Sequence, residues 1–434
     1  MPQVRADLGA SETMLELVIA GYGIPFAVLL ILGGRLGDRF GRHAMFAAGM
    51  VLFLLSALAC SFAPSIETLI AARIAQGIGA ALCTPQVLAT IQATSTGPAR
   101  VRAIAGFGAS GGIGAAVGQV VGGALAGASF GGFAGWRAIY IVVAISAVAA
   151  ILLSRFAPRS RAHEAVAIDL AGALELGAGV LLIVSALTFG PSAGWGSLVW
   201  VALVVGAGLL VVMWHHQNRI ERSGRVPLLP PSILRLRPLQ LGLLAAGLFF
   251  VGYSAFLYVL PRAVEGALGI TPFGAGLALL PFAVVFAAAS LSLAQLEKLF
   301  GERTLVWGVS IQIVALLGIA LTLALAWGHD VLWWLQPDLI VLGVGQALIF
   351  SPLTQAVVRE VPVEAAGLSG GMFSTVQQLA LSLGVITIGG IVAATGWNGR
   401  DEFFACTVLD LAVAAAVLTL AIVLTRGTVS RSRS

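Results

Sequence analysis

The residues of this chain able to do chemistry are ionisable side chains set inside long apolar runs. Arg73 lies within Leu69-Ile70-Ala71-Ala72-Arg73-Ile74-Ala75-Gln76-Gly77-Ile78-Gly79, and Glu16, Glu175, Asp338 and Asp410 interrupt other runs. An ionised group at the centre of a bilayer costs about 2.5–3.5 kcal/mol even on the lenient insertion scale, so each must face protein or water, or hold its proton. The chemistry open to such a set is proton uptake and release. A fixed guanidinium at Arg73 favours proton release from any carboxyl brought near it. Glu16, one and a half turns before Tyr22, is a candidate to face an internal cavity or to sit at the membrane interface, and Asp410 sits about two turns into the last apolar run. Arg262 and Glu265 read as a local pair, and Asp169 and Asp338 as helix starts favoured by the helix dipole. The histidines, at 43, 163, 215, 216 and 329, lie at the ends of apolar runs. His215 and His216 are adjacent rather than four residues apart, which is not the spacing of a helical metal pair. No nucleophile–base–acid set is suggested, so no enzyme, cofactor or metal site is expected.

The elements that position these groups are membrane spans. Of the 434 residues 59% are hydrophobic and 10% charged, against roughly 25% charged in soluble domains, and the mean hydropathy is +1.00. Thirteen runs are long enough to span: 15–35, 43–63, 67–94, 102–128, 136–155, 168–190, 195–214, 239–261, 272–296, 304–327, 332–358, 366–394 and 403–425. The fold class is therefore an all-α polytopic membrane protein. Arg35, Arg39, Arg42, Arg100, Arg102, Arg155, Arg159, Arg161, Arg219, Arg222, Arg225, Arg235, Arg237, Lys298, Arg303 and Arg359 fall between spans on one side, together with Arg426, Arg431 and Arg433 of the tail. Only Arg5, Arg137, Arg262 and Arg400 fall on the other. Basic residues concentrate in cytoplasmic loops, which puts the C-terminus in the cytoplasm and explains the basic balance without nucleic acid. An odd number of spans then leaves the N-terminus outside, and a preceding span absent from this sequence is the favoured explanation. Cys60, Cys83 and Cys406 lie within apolar runs, where a disulfide framework is not expected.

The chain repeats itself faintly. Gly77-Ile78-Gly79-Ala80-Ala81-Leu82 with Pro85 is echoed by Gly343-Val344-Gly345-Gln346-Ala347-Leu348 with Pro352, and the charged stretch Gly34–His43 by Lys298–Arg303. Such repeats are typical of transporters whose site lies between two bundles. The Arg-rich stretch 215–238, with Pro227, Pro230 and Pro231, reads as a linker.

Gly34-Arg35-Leu36-Gly37-Asp38-Arg39-Phe40-Gly41-Arg42-His43 reads as a dense charged turn between two spans. It resembles the Gly-x-x-x-Asp-Arg-x-Gly-Arg-Arg signature of the major facilitator superfamily, departing only at His43. Gly34 permits close helix approach, Asp38 can accept hydrogen bonds at a nearby helix N-terminus, and Arg39 and Arg42 stay in the cytosol. With Gly41 they form a latch that breaks when two bundles rock. Arg73, Gln76, Gly77 and Gly79 resemble the Arg-x-x-Gln-Gly-x-Gly pattern of the superfamily's proton-coupled members. Gly114, Gly118 and Gly122 form one helical stripe suited to close packing. With Gly123 they resemble the antiporter signature Gly-x-x-x-Gly-Pro-x-x-Gly-Gly, in which Gln119 here replaces proline. Gly106-Phe107-Gly108-Ala109-Ser110-Gly111 fits a dinucleotide pattern by letters only, because no strand precedes it.

The whole chain resembles the fourteen-span drug:proton antiporter branch of that superfamily. The resemblance rests further on Asp7–Ser11, Tyr22, Gly276, Pro281, Gly370, Gln377 and Gln378. It implies a major facilitator fold of two pseudo-symmetric bundles and two linker spans, with the branch's first span missing. The divisions are 1–160 for the first bundle, 161–226 for the linker spans and their loop, and 227–434 for the second, six-helix bundle. It also implies a bacterial plasma-membrane protein, a monomer, exporting amphipathic small molecules in exchange for protons by alternating access. Gln119 keeps open a uniporter or symporter of a metabolite on the same fold, and a non-transporting receptor is the remote alternative. Tyr22, Tyr253, Tyr258, Phe249, Phe250 and Phe256 are candidates to line an apolar cavity, and Trp195, Trp200, Trp214, Trp333, Trp334 and Trp397 to form an interfacial belt.

Overall fold

The computed structural model describes residues 2–126, 128–130, 133–160, 169–190, 192–225, 227–359, 361, 366–397 and 399–431. Arg161, His163 and Arg433 fall outside these, as do the side chains of Gln119, Glu302, Arg359, Arg426 and Arg431. The helices are α1 (Pro2–Leu8), α2 (Glu12–Phe40), α3 (Arg42–Ser61), α4 (Ile66–Thr94), α5 (Gly97–Ala126), α6 (Gly135–Ser154), α7 (Leu170–Phe189), α8 (Ser197–Arg222) and α9 (Pro231–Leu234). They continue with α10 (Arg237–Leu268), α11 (Pro272–Ala278), α12 (Leu280–Leu291), α13 (Leu293–Phe300), α14 (Thr304–Leu325), α15 (Val331–Arg359), α16 (Ala366–Thr395) and α17 (Arg400–Arg431). Among the described residues 13 helical stretches are long and apolar enough to cross a membrane, α11 and α12 together making one. The expected spans are all present.

Local signals set several boundaries. Ser11 caps α2 by accepting from the Met14 N–H, and Asp169 caps α7 by accepting from the Gly172 N–H, as its position in sequence predicts. Asp338 is not a helix start. It lies inside α15 and accepts from Thr322 Oγ1 of α14 at 3.1 Å, directly over Gly318. The charged stretch at 34–43 is not a turn either. Helix α2 continues through it to Phe40, and only Gly41, at φ 101°, breaks the chain before α3. The helix can continue because Arg35 and Asp38 find partners inside the protein and have no need to leave the helix for water.

The chain folds into two compact units, neither a single stretch of sequence. One comprises Met1–Thr94, Leu125–Leu236 and Glu360–Leu379; the other comprises Ser95–Ala124, Arg237–Arg359 and Ala380–Ser434. In the first unit α4 packs on α2 and α3, α6 on α3, and the α7–α8 hairpin on α2. In the second α15 packs on α10, α12 and α14, and α17 on α10 and α14. The sequence repeat has a structural meaning within each unit. A Cβ on Gly77 would lie 2.3 Å from the Tyr22 carbonyl oxygen of α2, and one on Gly79 would lie 2.8 Å from the Gly49 oxygen of α3. Likewise a Cβ on Gly343 would lie 2.7 Å from the Phe282 oxygen of α12, and one on Gly345 2.7 Å from the Gln312 nitrogen of α14. Both glycine pairs let one helix touch the backbones of two others, the arrangement that gives helices in lipid their packing energy.

This packing makes opposite demands on different glycines. Gly77→Ala is expected to destabilise the protein by about 1–3 kcal/mol through overpacking against backbone. Gly106, also helical but with nothing within 4 Å of a Cβ, should gain stability as alanine, by about 0.5–1 kcal/mol. Thermal unfolding of the two variants in detergent checks the opposite signs.

Candidate functional site

The residues expected to form a latch lie at the end of α2. Asp38 is 1% exposed and its Oδ1 accepts two hydrogen bonds: from Arg42 Nη2 at 2.9 Å and from the backbone N–H of Gly367 at 3.0 Å. Gly367 is the second residue of α16, so a carboxylate sits where a helix N-terminus presents unsatisfied N–H groups and partial positive charge. Close approach makes this reach possible. A Cβ on Gly34 would lie 2.1 Å from the Gly367 oxygen, one on Gly370 2.5 Å from the Pro85 oxygen, and one on Gly371 3.0 Å from the Ile31 Cα. Gln92 of α4 completes the seat, donating to the Val361 carbonyl at 2.7 Å and accepting from the Ser369 hydroxyl.

Arg39 is exposed and lies over the Phe40 ring. Arg42, expected in the cytosol, is buried in protein and not solvated: it is 1% exposed, bonded to Asp38 and to Ser160 Oγ at 3.3 Å. A cation can be buried there because the carboxylate answers it at 2.9 Å. His43, the departure from the superfamily pattern, bonds the Ser154 carbonyl at 3.1 Å. In the second unit the counterpart stretch ends α13 at Gly301, with φ 61°. There Glu297 accepts from Gln355 at 3.2 Å, and burial pushes its carboxyl above the usual range against the lowering effect of that bond.

Arg73 joins α4 to α2. Its Nε donates to the Val18 carbonyl at 3.1 Å, its Nη1 to Gln76 Oε1 at 2.7 Å, and the guanidinium lies 4.4 Å from the centre of the Tyr22 ring. Gln76 is 2% exposed, so Arg73, Gln76 and Tyr22 form one preorganised cationic unit. No carboxylate among the described residues pairs with Arg73 within 4.0 Å. Glu16 is half-buried on α2.

Asp410 lies in α17, 1% exposed, and neither carboxyl oxygen has a hydrogen-bond partner among the described residues. Its Oδ1 occupies the space where a Cβ on Gly252 of α10 would be, 2.0 Å away. Arg262 does not pair with Glu265. It bonds Glu402 of α17 at 2.8 Å, because the carboxylate facing α10 comes from the adjoining helix rather than the next turn. Glu175 is paired with His216 at 2.9 Å inside the α7–α8 hairpin.

The glycine stripe of α5 also departs from expectation. A Cβ on Gly114, Gly118 or Gly122 would meet nothing within 4 Å. Close contact on this helix falls instead on Gly108 and Gly112, where a Cβ would lie 2.7 Å from the Phe350 ring and 2.4 Å from the Phe286 ring. Sequence reasoning missed these two, and also Gly367 and Gly371. The letters Gly-Leu-Ser-Gly-Gly at 367–371 were a readable sign of close backbone approach.

Comparison with known proteins agrees with this architecture. The family profile described as Major Facilitator Superfamily matches residues 1–385. A "probable actinorhodin transporter" of Streptomyces coelicolor is 33% identical over 428 residues, which is 96% of this chain and 73% of that protein. The "puromycin resistance protein pur8" of Streptomyces alboniger is 33% identical over 388 residues, 89% of this chain and 75% of that protein. Among solved structures the human organic anion transporter MFSD10 superposes with a TM-score of 0.66 at 17% identity, covering 96% of this chain and 88% of that one. That likeness bears on the fold alone.

The latch predicts a non-additive pair. Asp38→Ala leaves the Arg42 charge buried and unanswered and should cost about 3–5 kcal/mol. Asp38→Ala with Arg42→Met should recover most of it. Unfolding of the single and double variants in detergent gives the coupling energy.

Proposed function

The chain belongs to the major facilitator superfamily, and from that premise we propose that it is a secondary transporter that exports amphipathic, drug-like small molecules in exchange for protons. The observation that carries the reading is the bond from Gly367 N–H to Asp38. It joins segments 329 positions apart through one carboxylate, a contact that is strong when made and can break as a unit. A helix-terminus bond to a single charged group suits a latch that must close and open in every cycle. The curated relatives, named for actinorhodin transport and puromycin resistance, support efflux as the direction and drug-like compounds as the cargo class.

Proton coupling rests on Asp410 and Arg73. A carboxyl buried without a counter-charge is much cheaper neutral than ionised, so Asp410 suits a proton carrier whose two states differ in cost. Arg73, held by Gln76 and Tyr22, supplies a fixed positive charge, and Glu16 on the facing helix contributes a second titratable group near the cargo. Gly34, Asp38, Arg39, Gly41 and Arg42 form the latch. Gly77 and Gly79 set the packing under it, and a Cβ on Gly114, Gly118 or Gly122 of α5 would meet nothing within 4 Å. The distribution of arginines supports a bacterial plasma-membrane location with the latch end and the C-terminus in the cytoplasm. The working protein is a monomer of two bundles, divided near 160 and 227, with α7 and α8 as linker spans.

Export by the protein, read as dye uptake into everted vesicles, tests the proposal. An imposed proton gradient should accelerate export by the parent protein, while Asp410→Asn should bind dye yet ignore the gradient. A parent equally fast with and without the gradient would favour the uniporter reading that Gln119 keeps open, and Arg73→Ala would then leave transport nearly intact.

A further inference from the structure

We propose that Arg35 is a positioning residue of the transport cycle: it fastens the segment 227–235 to the latch helix, so that the chain enters α10 from a held strap and not from a slack loop. The inference rests on the transport reading above.

Arg35 occupies an unspecified position of the superfamily signature, one turn before Asp38. It is 3% exposed. Its guanidinium is given to backbone: Nε and Nη2 donate to the Leu228 carbonyl at 2.9 and 2.7 Å, and Nη2 also to the Pro227 carbonyl at 2.8 Å. A buried cation is costly, and the planar fork of arginine is the group that can hold two carbonyls at once. Burying it against a linker would be wasteful if the linker's position did not matter.

The rest of the strap is held as firmly. The Leu229 N–H donates to Gln217 Oε1 at 3.2 Å, and Gln217, 0% exposed, donates in turn to the α7 cap Asp169 at 2.7 Å. Glu221 accepts from both the N–H and the hydroxyl of Ser232. Arg235 donates to Asn218 at 2.8 Å and lies 5.7 Å from the Trp214 ring centre. Leu228 and Leu229 are buried, and Pro227, Pro230 and Pro231 restrict the backbone between these contacts. The partners come from α2 and α8, so the two linker spans act as the strap's anchor. The first compact unit ends at Leu236 and the second resumes at Arg237. The segment is thereby held within the first unit up to Arg235, two residues before α10 begins.

The test uses the full chain carrying Leu229→Cys, because Cys60, Cys83 and Cys406 are all buried and give little background. Maleimide labelling is followed in detergent and dye export in proteoliposomes. The parent cysteine should label slowly. Adding Arg35→Gln should raise the labelling rate several-fold and lower turnover several-fold, with the KM for dye nearly unchanged, since cargo contacts are untouched. Arg35→Lys should fall between, and Arg222→Gln, a control on the exposed end of α8, should change neither reading. If Arg35→Gln does not fold, Gln217→Leu loosens the strap from the other side and should give the same two changes. Fast labelling of the parent, unchanged labelling after loosening, or freer labelling with undiminished turnover each overturns the proposal. A parent that moves no dye refutes the transport reading instead, and the labelling rates still decide whether Arg35 holds the strap.

Discussion

One carboxylate at the start of one helix organises the end of the molecule where the chain's charges gather. Asp38 must reach the second residue of α16 while keeping Arg42 neutralised, and both tasks fall to a single oxygen. Its other oxygen, Oδ2, is buried without a hydrogen bond among the described residues. Such a centre is stable only if the backbones around it come within van der Waals contact. Gly34, Gly367, Gly370 and Gly371 permit that contact: a Cβ on any of the first three would collide with backbone, and one on Gly371 would be tight against it. The chemistry of the latch and the placement of glycine are therefore one constraint.

The same economy governs polar groups elsewhere. In hydrocarbon an unsatisfied charge is expensive, so side chains that must be charged are tied to fixed partners. Arg73 is tied to Val18, Gln76 and Tyr22, Arg262 to Glu402, and Arg35 to two carbonyls of the strap. Asp410 stands apart, fully buried with no partner among the described residues. The proposed proton coupling rests on this contrast. Many of the exposed side chains on the spans are large and apolar, Leu198, Trp333 and Leu325 among them, as a lipid-facing surface requires.

How much of this was legible in sequence follows from the kind of signal each feature carries. Span number was readable because apolar length is a local property, and every expected run became a helix. The Asp169 cap was local too. The role of Asp38 at a helix N-terminus was readable in kind, since glycine, acid and arginine at that spacing fit no ordinary loop, but its partner Gly367 was not, because nothing local links positions 38 and 367. The expected turn at 34–43 failed for the same reason: charge density implies solvent unless distant partners are known. Arg262 reads in sequence as a partner of nearby Glu265 and Asp338 as a helix start, whereas the partners of both lie on adjoining helices. The stripe at Gly114, Gly118 and Gly122 has the right period for packing, and period alone does not say which face of α5 meets Phe286 and Phe350.

The central claim is that the Asp38 latch opens and closes as the protein works. Amide hydrogen exchange at Gly367 in lipid nanodiscs reports on it directly, since that N–H is bonded to Asp38. The account predicts measurable exchange in the parent that Asp38→Asn speeds several-fold. Exchange equally slow in parent and Asp38→Asn would contradict it.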